Sequence, residues 1–153
     1  MYYAVVLLFM FVLPIASITG DWAVALAPFG AALVLKWYVF WAVGWRLFLA
    51  GTRQILQPEY TARQILGHKG DESIVLVREL GFANVSIGLV ALISLASPSW
   101  RIPAAVAGGL FYLLAGANHM RQRHRNRLEN VAMASDLIAG VVLFVALAGA
   151  MSA

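Results

Sequence analysis

Cysteine is absent from the 153-residue chain, which excludes disulfides, thiolate nucleophiles, iron–sulfur clusters and thiolate zinc sites, and leaves the redox compartment unmarked. Charge is scarce as well. Asp, Glu, Lys and Arg make up 12% of the residues, about half the share of an ordinary soluble domain. Other signatures are also missing. There is no Gly-rich phosphate loop and no HExxH pattern, and Ser86, Ser97 and Ser135 have no His and acid arranged for acyl transfer. What is present is apolar: 62% of the residues are hydrophobic and the mean hydropathy is +0.82. The expectation is an integral membrane protein, a single transmembrane helical domain over residues 1–153 with no separate soluble domain.

Apolar runs cover Tyr2 to Thr19, Trp22 to Trp45, Glu79 to Ala96, Ile102 to Asn118 and Val131 to Met151. They predict an all-α, polytopic bundle of five transmembrane helices; the alternative is four helices plus a re-entrant or peripheral one, should the second run not span. The first run resembles a signal peptide in position only. It lacks a positively charged n-region and a good cleavage signal, so it reads as an ordinary span.

The net charge of +4 is a topology signal here. Arg46, Arg53, Arg63, Lys69, Arg78, Arg121, Arg123, Arg125 and Arg127 fall on one side, against Arg101 on the other. Because Lys and Arg are retained in cytoplasmic loops, the basic segments and the N terminus are expected inside and the C terminus outside, in a bacterial inner membrane. Residues 54–70 are read as a cytoplasmic loop holding an amphipathic helix, started by Pro58 and ended by Gly67. It lies on the surface or, on a sharper reading, closes as a lid over a site. The Arg121, Arg123, Arg125 and Arg127 run is expected to meet anionic headgroups. Nucleic acid is not an expected partner, because the run is short and carries no stacking aromatics.

Polar residues inside apolar spans carry the functional signal, since charge in hydrocarbon turns toward the bundle or a wet cavity. The candidate ligand-binding residues are Asp136, Glu79, Asn84, His119, Tyr112 and Arg46, all assigned to the cytoplasmic half. Asp136 is the sharpest: a carboxylate two turns into a span must pair, reach water or take up a proton. An ion pair with Arg46, Arg78 or Lys36 is its structural reading. Glu79 is expected to complete a salt bridge at the interface beside Arg78. Helical phase places Gly81, Asn84, Gly88 and Ala91 on one small-residue stripe, expected to be a close helix contact bridged by Asn84, and Gly108, Tyr112, Gly116 and His119 on one face of the fourth span.

Lys36 stands near the outer end of its span, where snorkelling nearly reaches headgroups. Around it Trp37, Tyr38, Trp41 and Trp45 read as anchors ahead of a stacking surface for a flat quinone ring. No metal site is expected: His119 and His124 are five residues apart and Arg123 and Arg125 repel a cation.

Gly51, Pro58, the run Arg78-Glu79-Leu80-Gly81-Phe82-Ala83-Asn84 with Gly88, then Trp100-Arg101 and Phe111-Tyr112-Leu113-Leu114-Ala115-Gly116 with His119 resemble the small DoxX/DoxD-like bacterial membrane proteins, in particular an uncharacterised branch, from about Gly44 to His119. The resemblance implies a compact helical bundle. It also implies quinone-linked sulfur or redox chemistry, as in some relatives, or an accessory or chaperone role, as in others. The first span extends the four-helix pattern, and no matched motif identifies a catalytic residue. Three functions follow as expectations. The favoured one is a small-molecule binding or accessory subunit taking a lipid- or quinone-like ligand, with a second copy or a membrane subunit as partner. The others are a small membrane enzyme using carboxylate acid/base chemistry on a lipophilic substrate, and a proton-coupled transporter. No cofactor is identified beyond the quinone this would accommodate.

Overall fold

The computed structural model describes residues 2–67 and 70–152, and His68 and Lys69 of the basic loop lie outside it. Five helices are long and apolar enough to cross a membrane: α1 (Tyr2–Ala23), α2 (Ala31–Leu56), α4 (Glu72–Ile93), α5 (Pro98–Arg121) and α6 (Arg127–Met151). A short helix, α3 (Tyr60–Ile65), lies between α2 and α4. Among the described residues there is no strand. The protein is a multi-pass helical bundle. Its outward faces carry Leu7 and Ile15 of α1, Leu76 and Phe82 of α4, Leu114 of α5 and Val145 of α6, all exposed, as a lipid-facing surface requires.

α2 is the hub. It packs against α1, α4, α5 and α6, while α5 and α6 form the other close antiparallel pair. Val39, Ala42, Val43 and Leu47 of α2 meet Ala91 of α4, Ala105 and Tyr112 of α5 and Leu143 of α6 in the core. The α2–α4 contact is built on glycine. A Cβ on Gly88 would stand 2.6 Å from the Phe48 nitrogen, and one on Gly51 2.6 Å from the Gly81 oxygen. The stripe Gly81, Asn84, Gly88 and Ala91 is buried at this contact, because small residues let backbones approach in lipid.

α1 and α2 each contain a wide π-helical turn, Leu8–Val12 and Val39–Trp45. Such turns loosen the backbone hydrogen-bond ladder, and in a membrane the freed carbonyls need new donors. Tyrosines from neighbouring helices supply them. Tyr38 donates its hydroxyl hydrogen to the Met10 carbonyl at 2.8 Å, and Tyr112 donates to the Ala42 carbonyl. Pro14 contributes to the first case, since it withholds the N–H that would reach back to Met10 in an α-turn.

Two span boundaries differ from the sequence reading. The second span begins at Ala31 and runs to Leu56, where hydropathy placed Trp22 to Trp45. Residues 24–30 are apolar yet form a connection, with Val24, Leu26 and Phe29 exposed. At the other end, Arg46 and Gln54 are polar yet buried, each hydrogen-bonded to a side chain on another helix. The third span likewise begins at Glu72, two turns before Glu79. Lys36 does not snorkel freely: its Nζ lies 2.6 Å from Asp21 Oδ2, which also accepts from Trp37 Nε1 at 2.9 Å. With Trp41 Nε1 donating to Ser17 Oγ at 2.9 Å, these contacts fasten α1 to α2 at the end away from the basic segments.

Candidate functional site

At 1.5 Å per residue, Arg46 lies ten residues from the end of α2, Asp136 nine from the start of α6 and Tyr112 nine from the end of α5, so all three sit about 14 Å inside the basic end. Their side chains meet. Arg46 Nη2 donates to Asp136 Oδ1 at 2.8 Å and to Ser135 Oγ at 2.9 Å, and the guanidinium stands 4.8 Å from the Tyr112 ring centroid, a cation–π distance. Arg46 is 8% and Asp136 7% exposed. Of the partners expected for Asp136, the structure selects Arg46.

Above this pair, toward the basic end, Asn84 Nδ2 donates to Gln54 Oε1 at 2.8 Å across the glycine contact. His119 and Glu129 join α5 to α6, with Nδ1 and Oε1 3.3 Å apart. Glu129 sits in the first turn of α6, whose Asn126 cap accepts from the Glu129 N–H at 2.9 Å. Arg125 closes the end of α5 by donating to the carbonyls of His119, Met120 and Gln122. Arg125 is half-buried by these bonds, whereas Arg121, Arg123 and Arg127 are exposed.

These groups surround a cavity of ≈ 390 Å³. Five of the six candidates line it: Asp136, Asn84, His119, Tyr112 and Arg46. Glu79 does not. It is five residues from Asn84 on α4, about 140° around the helix, and so falls on the exposed stripe with Ala83 and Ser86. Among the described residues it pairs with nothing, and the salt bridge expected for it is not formed. Apolar walls come from Val6, Leu47, Leu80, Phe111 and Ala115. Residues 58–66 cover the basic end, with Tyr60, Thr61, Ile65 and Leu66 against the cavity, and Asn126 holds this cover by donating to the Ile65 carbonyl at 3.0 Å.

Two polar atoms in the lining are buried and without a partner: Arg46 Nη1 and Asn84 Oδ1. A buried polar atom left unpaired costs about 1–3 kcal/mol. Arg53, whose guanidinium centre stands 3.6 Å from the Tyr60 ring centroid, adds a third, its Nε. Sequence reasoning missed Arg53, Gln54 and Tyr60. Arg46, Ala50, Arg53 and Gln54 are spaced i, i+4, i+7 and i+8, one face of a helix, and extending the second span past Trp45 reveals the set.

The arrangement can hold an amphiphile: hydrogen-bonding groups on one side, an apolar wall opposite, and a volume within the roughly 300–1,000 Å³ of small-molecule sites. Among the described residues no three His, Cys, Asp or Glu side chains gather as a metal site would need. No curated protein and no solved structure matches the chain. One family description does, over residues 1–152 of the sequence, and the chain belongs to that family, the family of unknown function DUF6790.

Proposed function

We propose that the protein is a membrane binding or accessory subunit that takes a lipid- or quinone-like molecule into the cavity at the basic end of its bundle. The observation that carries this reading is the gathering of Arg46, Asp136, Gln54, Asn84 and His119 around one largely apolar cavity. A ligand head bonds these polar side chains, and its apolar body packs along Leu47, Leu80 and Phe111. The distribution of Lys and Arg supports a cytoplasmic position for that end, with the N terminus inside and the C terminus outside a bacterial inner membrane. The likeness to DoxX/DoxD-like proteins belongs to the same reading. So do the partners: lipids, whose anionic headgroups meet Arg121, Arg123, Arg125 and Arg127, and a second copy or a membrane subunit.

Acid/base catalysis by Asp136 has less support, because Arg46 already holds its Oδ1 in a buried pair. Native mass spectrometry of the protein released from lipid particles tests the binding reading. Wild type is expected to retain a discrete bound mass that Ala115→Phe, which fills the cavity, loses while still inserting. Equal retention of ordinary phospholipids alone by both proteins would remove the reading.

A further inference from the structure

The charges around the cavity narrow the ligand further. Three charged side chains line it besides the His119 ring: Arg46, Arg53 and Asp136. Asp136 is committed to Arg46 through Oδ1. Arg53 has no carboxylate: among the described residues it makes no salt bridge, its Nε is buried without a partner, and its nearest companion is the face of Tyr60. The aromatic face attracts the cation but does not neutralise it. Glu129 faces His119 and does not itself line the cavity. The lining therefore holds two guanidinium groups against one carboxylate: Arg46 is buried and paired with Asp136, and Arg53 is half-buried near the end of α2 with no carboxylate beside it among the described residues.

Resting on the binding reading above, we infer that the cavity's ligand is an amphiphile with a monoanionic head, a carboxylate or a phosphodiester, and an apolar tail. A neutral quinone carbonyl would accept from an arginine but leave Arg53 without a counter-charge. A carboxylate or phosphodiester supplies that charge, and guanidinium groups suit planar or tetrahedral oxyanions. Gln54 and Asn84 are compatible with this head. Reversing both amides preserves the bond between them and turns an Asn84 N–H toward the ligand in place of Oδ1. Arg53 stands two turns from Arg46, on the side nearer the cover formed by residues 58–66, so the anion meets a cation at the mouth before it reaches the floor.

The test compares four probes on the full-length protein in zwitterionic phosphatidylcholine nanodiscs: dodecanoate, dodecyl methyl phosphate, methyl dodecanoate and a decyl-substituted benzoquinone. Native mass spectrometry reads occupancy against probe concentration. At least one anion is expected to bind about tenfold or more tightly than the ester, as a charge-assisted bond provides. Whichever anion is tighter names the head. Arg53→Gln is expected to bring anion and ester close together, while Arg53→Lys keeps most of the preference because it keeps the charge. Ester or quinone binding as tight as either anion would overturn the monoanion assignment and leave the binding reading standing. Binding of none of the four by a protein that inserts and keeps its helical circular-dichroism spectrum would overturn both.

Discussion

Among the described residues, two pairs of a Lys or Arg with a carboxylate join the spans of this bundle, one toward each end, and they are built differently. At the end away from the basic segments, Lys36 and Asp21 sit 2.6 Å apart with their side chains 26% and 24% exposed, and Trp37 adds a second donor to the same carboxylate. That pair does not line the cavity at the basic end. At the basic end, Arg46 and Asp136 are each 10% exposed at the side chain, 2.8 Å apart, and Arg46 keeps one nitrogen without a partner beside an open volume. The first pair fastens α1 to α2. The second holds a cation in place and leaves part of it unsatisfied, which is how a site differs from a staple.

Breaking the inner pair is expected to have the largest effect. Asp136→Leu leaves Arg46 charged and buried without its carboxylate, at a cost of about 3–5 kcal/mol, read by reversible unfolding in lipid or detergent. Adding Arg46→Met to it should recover most of that stability while abolishing ligand retention. A double variant as unstable as the single one would mean that the pair is not an isolated unit.

Packing gives the next largest contrast. Gly88→Leu drives a side chain into the α2 backbone and is expected to cost about 1–3 kcal/mol, with loss of ligand because α2 and α4 move apart under the cavity. Gly20→Ala near the opposite end meets nothing within 4 Å and should stay within about 0.5 kcal/mol of wild type.

The two tyrosines that serve the π-helical turns sharpen the comparison further. Tyr112→Phe and Tyr38→Phe each leave a buried carbonyl unpaired, at about 1–3 kcal/mol. Only the Tyr38 effect is expected to shrink in a Pro14→Ala background, where a restored N–H can reach Met10. An undiminished Tyr38 effect there would contradict the assignment of Pro14 as the origin of the free carbonyl. The smallest effect is expected for Asp21→Asn, whose amide oxygen still accepts from Lys36 and Trp37, so the same unfolding measurement should find a loss well below that of Asp136→Leu.

The number of spans was legible because apolar runs of membrane length announce themselves, and the glycine stripe of α4 was legible because helical period alone puts Gly81, Asn84, Gly88 and Ala91 together. Where the second span ends was not. Hydropathy stops a helix at Arg46, yet the backbone continues because Asp136, 90 positions later, and Asn84 supply what the polar side chains need. The truncation hid Arg53 and Gln54. Depth alone also admitted Glu79 to the cluster, although its phase turns it outward. Partners distant in sequence decide which polar residues face the cavity, and no local pattern records them.

Photo-cross-linking tests the central claim, occupancy of the cavity, most directly. Diazirine-bearing dodecanoate and a diazirine-bearing quinone would each be irradiated with the protein in phosphatidylcholine vesicles and the adducts mapped by mass spectrometry. Adducts on Leu47, Leu80 or Phe111, suppressed by excess unlabelled probe, are the predicted result. Adducts confined to outward residues such as Leu114 and Val145, and indifferent to competitor, would contradict it.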